Sequence, residues 1–148
     1  MDVRRATGAD ALSIARLRAQ MIKATPTGRW FEDLTAYLED GLARAEDIAG
    51  FVVDGPADCL VSVALGSIYE APPGPTYSGR TGYVHLVLTA PGYRRQGNGR
   101  AVTARLLTWF WDEGCGLVSL NTSVDGAHLY RSLGFENNVR SMRLFKPE

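Results

Sequence analysis

Residues Arg94 to Gly99, reading Arg-Arg-Gln-Gly-Asn-Gly, constrain this chain more than any other stretch. A strand-like run, Tyr83 to Thr89, enters the segment through Ala90-Pro91-Gly92-Tyr93, and a helix-like run from Arg100 to about Asp112 leaves it. Strand, glycine-bearing loop and helix in that order leave the first helical amides without intrahelical partners. They aim those amides, with the positive end of the helix dipole, at one point where an anion can be held. Gly97 and Gly99 lack Cβ atoms, so a phosphate can approach the backbone and φ can be positive where the turn needs it. Arg94, Arg95, Arg100 and Arg105 lie at or near the helix start, where cations are unfavourable unless something negative sits among them. From Ala71 to Trp111 there is no Asp or Glu against five Arg, although the formal net charge of the chain is zero. The basic segment is therefore a local feature, and a bound polyanion accounts for it.

Two common phosphate loops fit poorly. The nucleoside-triphosphate loop needs Lys and then Ser or Thr after its last glycine, whereas Gly99 is followed by Arg100 and Ala101, and the dinucleotide fingerprint GxGxxG is absent. A second segment lies near the C-terminus, Ser123-Val-Asp-Gly-Ala-His-Leu-Tyr-Arg-Ser-Leu-Gly-Phe135. The first segment resembles the R/Q-x-x-G-x-G/A signature of the GNAT superfamily of N-acetyltransferases, with Arg94, Gly97 and Gly99 in the signature positions. The second is similar to S-x-x-G-x-x-L-Y-x-x-L-G-F of many GNAT enzymes, matching at Ser123, Gly126, Leu129, Tyr130, Leu133, Gly134 and Phe135. The opening Val3 to Asp10 looks like the common first strand and turn, so the resemblance extends over essentially the whole chain. It implies a mixed α/β fold in one domain, residues 1–148. A central, mostly antiparallel sheet of six to seven strands with a splayed central pair would be flanked by about four helices.

The chain of 148 residues is long enough to bury a core, and 45% hydrophobic with 22% charged residues is ordinary for a globular protein. No apolar run approaches the roughly 18 residues of a membrane span, and the N-terminus carries no signal-peptide pattern, so a cytoplasmic location is expected. Cys59 and Cys115 have no metal-ligand spacing and read as buried thiols. No metal is expected.

The spacing predicts a strand over Asp2 to Ala6, a capping box at Thr7 to Asp10 and a helix to about Lys23. A second helix is predicted from about Trp30 to Ala45, with Glu32/Asp33, Glu39/Asp40 and Glu46/Asp47 forming an acidic stripe. That stripe reads first as a solvated face and second as a hint of a cationic acceptor, residues 1–70 holding eleven acids against seven Lys or Arg. Strands follow at Ile48 to Val53 and Leu60 to Gly66, then a loop from Glu70 to Gly82 rich in Pro and Gly, readable equally as a lid or as an inert insertion. Beyond the helix after Gly99, whose aromatics Trp109, Phe110 and Trp111 suit burial against the sheet or a partner surface, a strand is expected at Leu117 to Asn121. A short helix at Asp125 to Ser132 and a last strand at Asn138 to Phe145 complete the reading.

The resemblance implies acetyl-coenzyme A as cosubstrate, bound where Tyr83–Thr89 and Leu117–Asn121 part. Main chain of Val87, Leu88 and Thr89 would pair with the pantetheine arm, and an amide near Leu88 would donate to the thioester oxygen. Amides from Arg95 through Gln96, Gly97, Asn98 and Gly99 to Arg100 would hold the pyrophosphate, with Arg94 supporting the loop or the phosphates. Asn98 stands where an apolar residue is common, a change expected to loosen packing beneath the loop. Tyr130 takes the position of a general acid to the departing thiolate, or else is a packed half-buried tyrosine.

For the base, His85 is the first candidate, sharing a face with Tyr83 and Val87 by period-two alternation and having an ordinary pKa suited to neutral pH. A structural histidine is the competing reading, and Glu70, Tyr83 or a water remain alternatives; His128 ranks below them. The expected activity is direct transfer of an acetyl group to a primary amine of a small molecule or protein within a ternary complex. The first two helices, the 70–82 loop and the last strand would form the acceptor pocket. The alternative is a catalytically weak coenzyme A-binding sensor. A nucleic-acid module is disfavoured by neutral charge and the missing stacking motif, and a homodimer is consistent with the resemblance.

Overall fold

The computed structural model describes residues 1–123, 125–137 and 141–148. Five strands form one sheet in the order β1 (Val3–Arg5), β2 (Ile48–Asp54), β3 (Leu60–Glu70), β4 (Arg80–Thr89) and β5 (Leu117–Leu120). Neighbours run antiparallel except β4 and β5, which are parallel. Parallel neighbours need a crossover, and α3 (Asn98–Asp112) supplies it. Helices α1 (Ala11–Met21) and α2 (Arg29–Arg44) cover the opposite face, and α4 (Ala127–Ser132) follows β5.

Alternation on β2 and β3 divides the core between the two faces. Val52, Val63 and Leu65 pack with Ile14, Leu17, Leu38 and Leu42 of α1 and α2. Ala49, Phe51, Ala64 and Ile68 pack with Val102, Leu106 and Phe110 of α3. Phe110 is fully buried and rests on two glycines: a Cβ at Gly66 would lie 2.6 Å from its Cζ, and one at Gly82 would lie 2.5 Å from its Cδ1. These glycines are a socket for the ring, and they set how closely α3 approaches the sheet.

Among the described residues the sheet has five strands, where six to seven were expected, mostly antiparallel as expected. Of the expected last strand, residues 138–140 lie outside the described residues and 141–148 form no strand. Met142, Leu144 and Phe145 are 95%, 93% and 75% exposed, so this segment has no apolar face buried against the sheet. The three central strands are longer than expected, whereas β1 and β5 are each a little shorter: β3 continues to Glu70 and β4 begins at Arg80, which shortens the connection to 71–79. Cys115 is buried as expected, whereas Cys59 is exposed because it falls in the turn between β2 and β3.

One irregularity organises the centre of the sheet. Leu65 pairs with Leu86 while Gly66 pairs with Val84, so His85 is an extra residue bulged out of β4. Alternation changes phase across it: Val84 and Val87 lie with the α3 cluster, whereas Leu86 and Leu88 lie with the α1–α2 cluster. The expectation that His85 and Val87 share a face is overturned by this bulge.

Candidate active site

The loop after β4 is built as an anion cradle. Gly97 caps α3 in the left-handed region at φ 84°, a conformation that a side chain there would strain, and it brings no side-chain cap to the helix. The first turn contains no acid, so the leading amides of α3 meet neither a cap nor a carboxylate. Asn98 does the opposite of loosening the loop: it is 6% exposed and its Nδ2 donates to the Tyr93 carbonyl at 3.0 Å. Arg94 bridges the loop to its surroundings, Nε donating to the Thr89 carbonyl at 3.4 Å and Nη2 lying 3.4 Å from Met21 Sδ. Gln96 reaches back to the Gly92 carbonyl at 3.4 Å, and Arg95 is exposed at φ 61°. Arg100 Nη1 donates to Ser132 Oγ at 2.5 Å, joining the helix start to α4. A Cβ on Gly99 would lie 3.5 Å from Thr89 Oγ1, 3.6 Å from Leu129 Cδ2 and 3.8 Å from Val87 Cγ1, so β4, α3 and α4 converge at this point.

Beside the cradle the sheet opens. Pairing of β4 with β5 runs from Thr81↔Leu117 to Val84↔Leu120 and stops, while β4 continues to Thr89. The β5-side edge of residues 85–89 therefore has no strand partner among the described residues. Those backbone groups include the Val87, Leu88 and Thr89 stretch, and they face a gap that another extended chain can enter. On its other side this stretch is fixed, with Ser62 Oγ donating to the Leu88 carbonyl at 2.8 Å and lying 2.9 Å from Thr89 Oγ1.

His85 and Tyr130 face different hollows. His85 joins Arg18, Ile22, Trp30, Leu34, Tyr37, Leu65 and Leu86 around a pocket of about 500 Å³ between the sheet and the first two helices. Its Nε2 is hydrogen-bonded to Ser67 Oγ at 2.6 Å, and desolvation by the surrounding side chains holds its pKa below the ordinary value. Tyr130 lines a cleft of about 830 Å³ along β5, α4 and the end of α3, together with Tyr83, Trp111 and Phe135. Burial pushes its phenol pKa up, and its ring meets the Phe135 ring edge-on at 5.8 Å. Tyr83 links the two hollows: its ring is 4.9 Å from that of His85, and its hydroxyl accepts from Asn121 Nδ2 at 2.9 Å.

Of the other candidates, Tyr83 stays beside both hollows, while Glu70 and His128 lie apart from them. Glu70 is paired with Arg80 at 2.8 Å, five β3 residues beyond the bulge or roughly 16 Å at strand rise. His128 is exposed and does not line either hollow. The 71–79 loop is closed by the Ala71 N–H on the Gly79 carbonyl at 2.7 Å and lies at the start of β4, near Gly116, at the end opposite the cradle. That position sets the loop away from the cradle and beside the far end of the β5-side cleft. Trp109 is buried against the sheet, whereas Trp111 is 53% exposed and contributes to the β5-side cleft. Ser67, Arg18, Trp30, Tyr37 and Asn121 escaped the sequence reading. Ending the third strand at Gly66 left Ser67 outside it, and single polar or aromatic residues on helices whose apolar stripe was already explained gave no signal.

These features define a mixed α/β protein with an anion cradle at the end of a bulged strand, an open strand edge beside it and a pocket on the other side. The acetyltransferase (GNAT) family model matches residues 17–135, and the chain belongs to that family. Among solved structures, an acetyltransferase from Clostridium acetobutylicum with acetyl-CoA is similar at a TM-score of 0.82 and 22% identity, over 97% of this chain and 95% of that one. An acetyltransferase from Trypanosoma brucei is similar at 0.75 and 26%, over 98% and 99%. An aminoglycoside N-acetyltransferase in complex with CoA is similar at 0.78 and 21%, over 98% and 93%. Comparison with curated protein sequences finds no match.

Proposed function

We propose that this protein transfers the acetyl group of acetyl-CoA to a primary amine by direct attack in a ternary complex. The observation that carries the reading is the open β4 edge from His85 to Thr89, ending in an uncapped, acid-free helix N-terminus. A pyrophosphate suits the amides of residues 95–100, and the amide-bearing pantetheine arm suits the free edge at Val87 to Thr89. Arg94, Arg95 and Arg100 supply the opposite charge, with Arg94 and Arg100 also holding the loop and α4 in place. The solved relatives carrying acetyl-CoA or CoA support the same ligand.

In this reading the acceptor enters from the α1–α2 side. Its neutral nitrogen attacks the thioester carbon, the C–N bond forms and the C–S bond breaks, and the nitrogen loses one proton as the sulfur gains one. The products are an amide and free CoA thiol. His85 serves as base: its depressed pKa keeps it neutral at pH 7, and in the tautomer that donates Nε2–H to Ser67, Nδ1 carries the basic lone pair. Tyr130 serves as acid: its raised pKa keeps the phenol protonated and able to donate to the sulfur. A backbone amide near Leu88 stabilises the developing oxyanion.

Calorimetric titration of wild type and Gly97→Glu with acetyl-CoA tests the reading. Wild type binds in the micromolar range, and the variant, folded by circular dichroism, loses binding through a carboxylate placed in the cradle. Acetyl-CoA binding with no transfer to any amine in a broad screen would favour a sensor instead, and absence of binding by folded wild type would sink both.

A further inference from the structure

The pocket that His85 faces differs in character from the acidic stripe on α2. Trp30, Leu34, Tyr37 and Leu86 give it apolar and aromatic walls, and none of its lining residues is an Asp or Glu. Its one cation, Arg18, is half-buried, and its guanidinium makes no hydrogen bond or ion pair with another described residue. Of the four acids of α2, Asp33 pairs with Arg29 and Asp40 with Arg44 on the exposed side of the helix, and neither Glu32 nor Glu39 lines the pocket. Asp47 is close enough to Tyr37 to help raise its pKa, after burial, but it is not among the residues that line the pocket. A half-buried guanidinium with no carboxylate on the lining of a pocket that also carries an indole and a phenol can take a ligand carboxylate in a charge-assisted pair.

We propose that the acceptor is an apolar amino acid in its free form, with its carboxylate on Arg18, its side chain against Trp30, Leu34 and Tyr37, and its α-amino group beside His85. The proposal rests on the transferase reading and adds the substrate class. One carbon carries both the carboxylate and the amine, so the cation and the base on a single pocket match the two ends of one small molecule. A pocket of about 500 Å³ falls within the roughly 300–1,000 Å³ usual for small-molecule sites. A polycationic acceptor would set several ammonium groups against Arg18 with no acid on the lining to receive them.

The test is release of CoA thiol from acetyl-CoA by wild type, Arg18→Gln and Arg18→Lys, with L-phenylalanine, phenylalaninamide, phenethylamine and neamine as acceptors. L-Phenylalanine has the highest kcat/KM with wild type. Arg18→Gln raises its KM about tenfold or more, the scale of one lost charge-assisted pair. It leaves kcat and the kinetics of phenethylamine nearly unchanged, and Arg18→Lys restores part of the loss. Preference for neamine, equal use of phenylalaninamide and phenylalanine, or a uniform effect of Arg18→Gln on every amine would overturn the assignment. Acetyl-CoA binding, measured separately by calorimetry, tells the two failures apart. If it binds and only other amines react, the substrate class is wrong. If it does not bind, the transferase reading falls and this inference with it.

Discussion

Replacing Gly82 by Ala puts a methyl group into the seat of Phe110. The new Cβ would stand 2.5 Å from Cδ1, 2.7 Å from Cε1 and 2.8 Å from Cγ of a ring with no solvent exposure. Carbon atoms in good contact are roughly 3.5–4.0 Å apart, so either the ring or the strand must move by about 1 Å. The ring has little room, because Gly66 presents the same close approach from β3 and Leu106 lies beside it. Overpacking of this kind costs about 2–3 kcal/mol, which at this chain length lowers the melting temperature by roughly 4–12 °C. Urea unfolding followed by circular dichroism measures the loss. Phe110→Leu alone opens space and is destabilising by about 1–2 kcal/mol, but combined with Gly82→Ala it removes the clash, so the double variant loses at least about 1 kcal/mol less than the sum of the singles. A Gly82→Ala protein within about 0.5 kcal/mol of wild type, or strict additivity, would refute the socket. The functional corollary is that α3 carries the cradle at its N-terminus, so Gly82→Ala also weakens acetyl-CoA binding although Gly82 touches no ligand.

Tyr130→Phe removes a proton donor and keeps the ring against Phe135; kcat falls about 100-fold with little change in KM for acetyl-CoA. Unchanged kcat across steady-state and single-turnover assays would assign Tyr130 to packing alone. For His85, the base must be neutral, and its folded pKa is depressed below 6.5. Activity should therefore persist as pH falls through 6.5 and decline only below it, and His85→Ala should lower kcat and abolish that limb in a pH–rate profile. Stability follows the same linkage: below 6.5 the unfolded chain takes up a proton that the native imidazole refuses, so wild type loses stability there. His85→Gln lacks that part of the slope in unfolding measured from pH 7.5 to 5.

Much of this was legible in the chain because its signals were local. The capping box is formed, with the Thr7 N–H donating to the Asp10 carboxylate at 2.8 Å, and the cradle follows from glycines at fixed positions in a strand–loop–helix unit. Apolar spacing placed both long N-terminal helices within a residue or two. What escaped depends on partners distant in sequence. Asn98 reads as an intruder until the fold brings the Tyr93 carbonyl over it. Glu70 reads as a free carboxylate until a hairpin brings Arg80 opposite. The expected last strand has apolar residues, but no sheet edge among the described residues accepts 141–148, and alternation without a surface to bury makes no strand.

The bulge at His85 is the harder case, since a single extra residue leaves no mark in a run with apolar residues on both faces, as in Val84, Leu86, Val87 and Leu88. Its consequences nevertheless define the candidate site. Without it, period-two alternation would place Leu86 and Leu88 on the face of Val84 and Gly82, against α3, and would turn Val87 toward α1 and α2. With it, His85 meets the Tyr83 ring edge-on at 4.9 Å, Leu86 joins His85 on the pocket wall, and Val87 turns to the α3 side near Gly99. The bulge also coincides with the last paired rung of β4 and β5, so the strand presents a titratable side chain to one hollow and loses its partner on the other edge at the same residue. An acyl group lying along that edge and an amine in that pocket would then be separated by the width of one strand. Deleting His85 should therefore do more than remove a base. It should restore regular pairing with Val87 still on the α3 side, and by removing the local bend and twist of the bulge it should cost acetyl-CoA affinity as well as turnover, whereas His85→Ala keeps the bulge and should cost turnover alone.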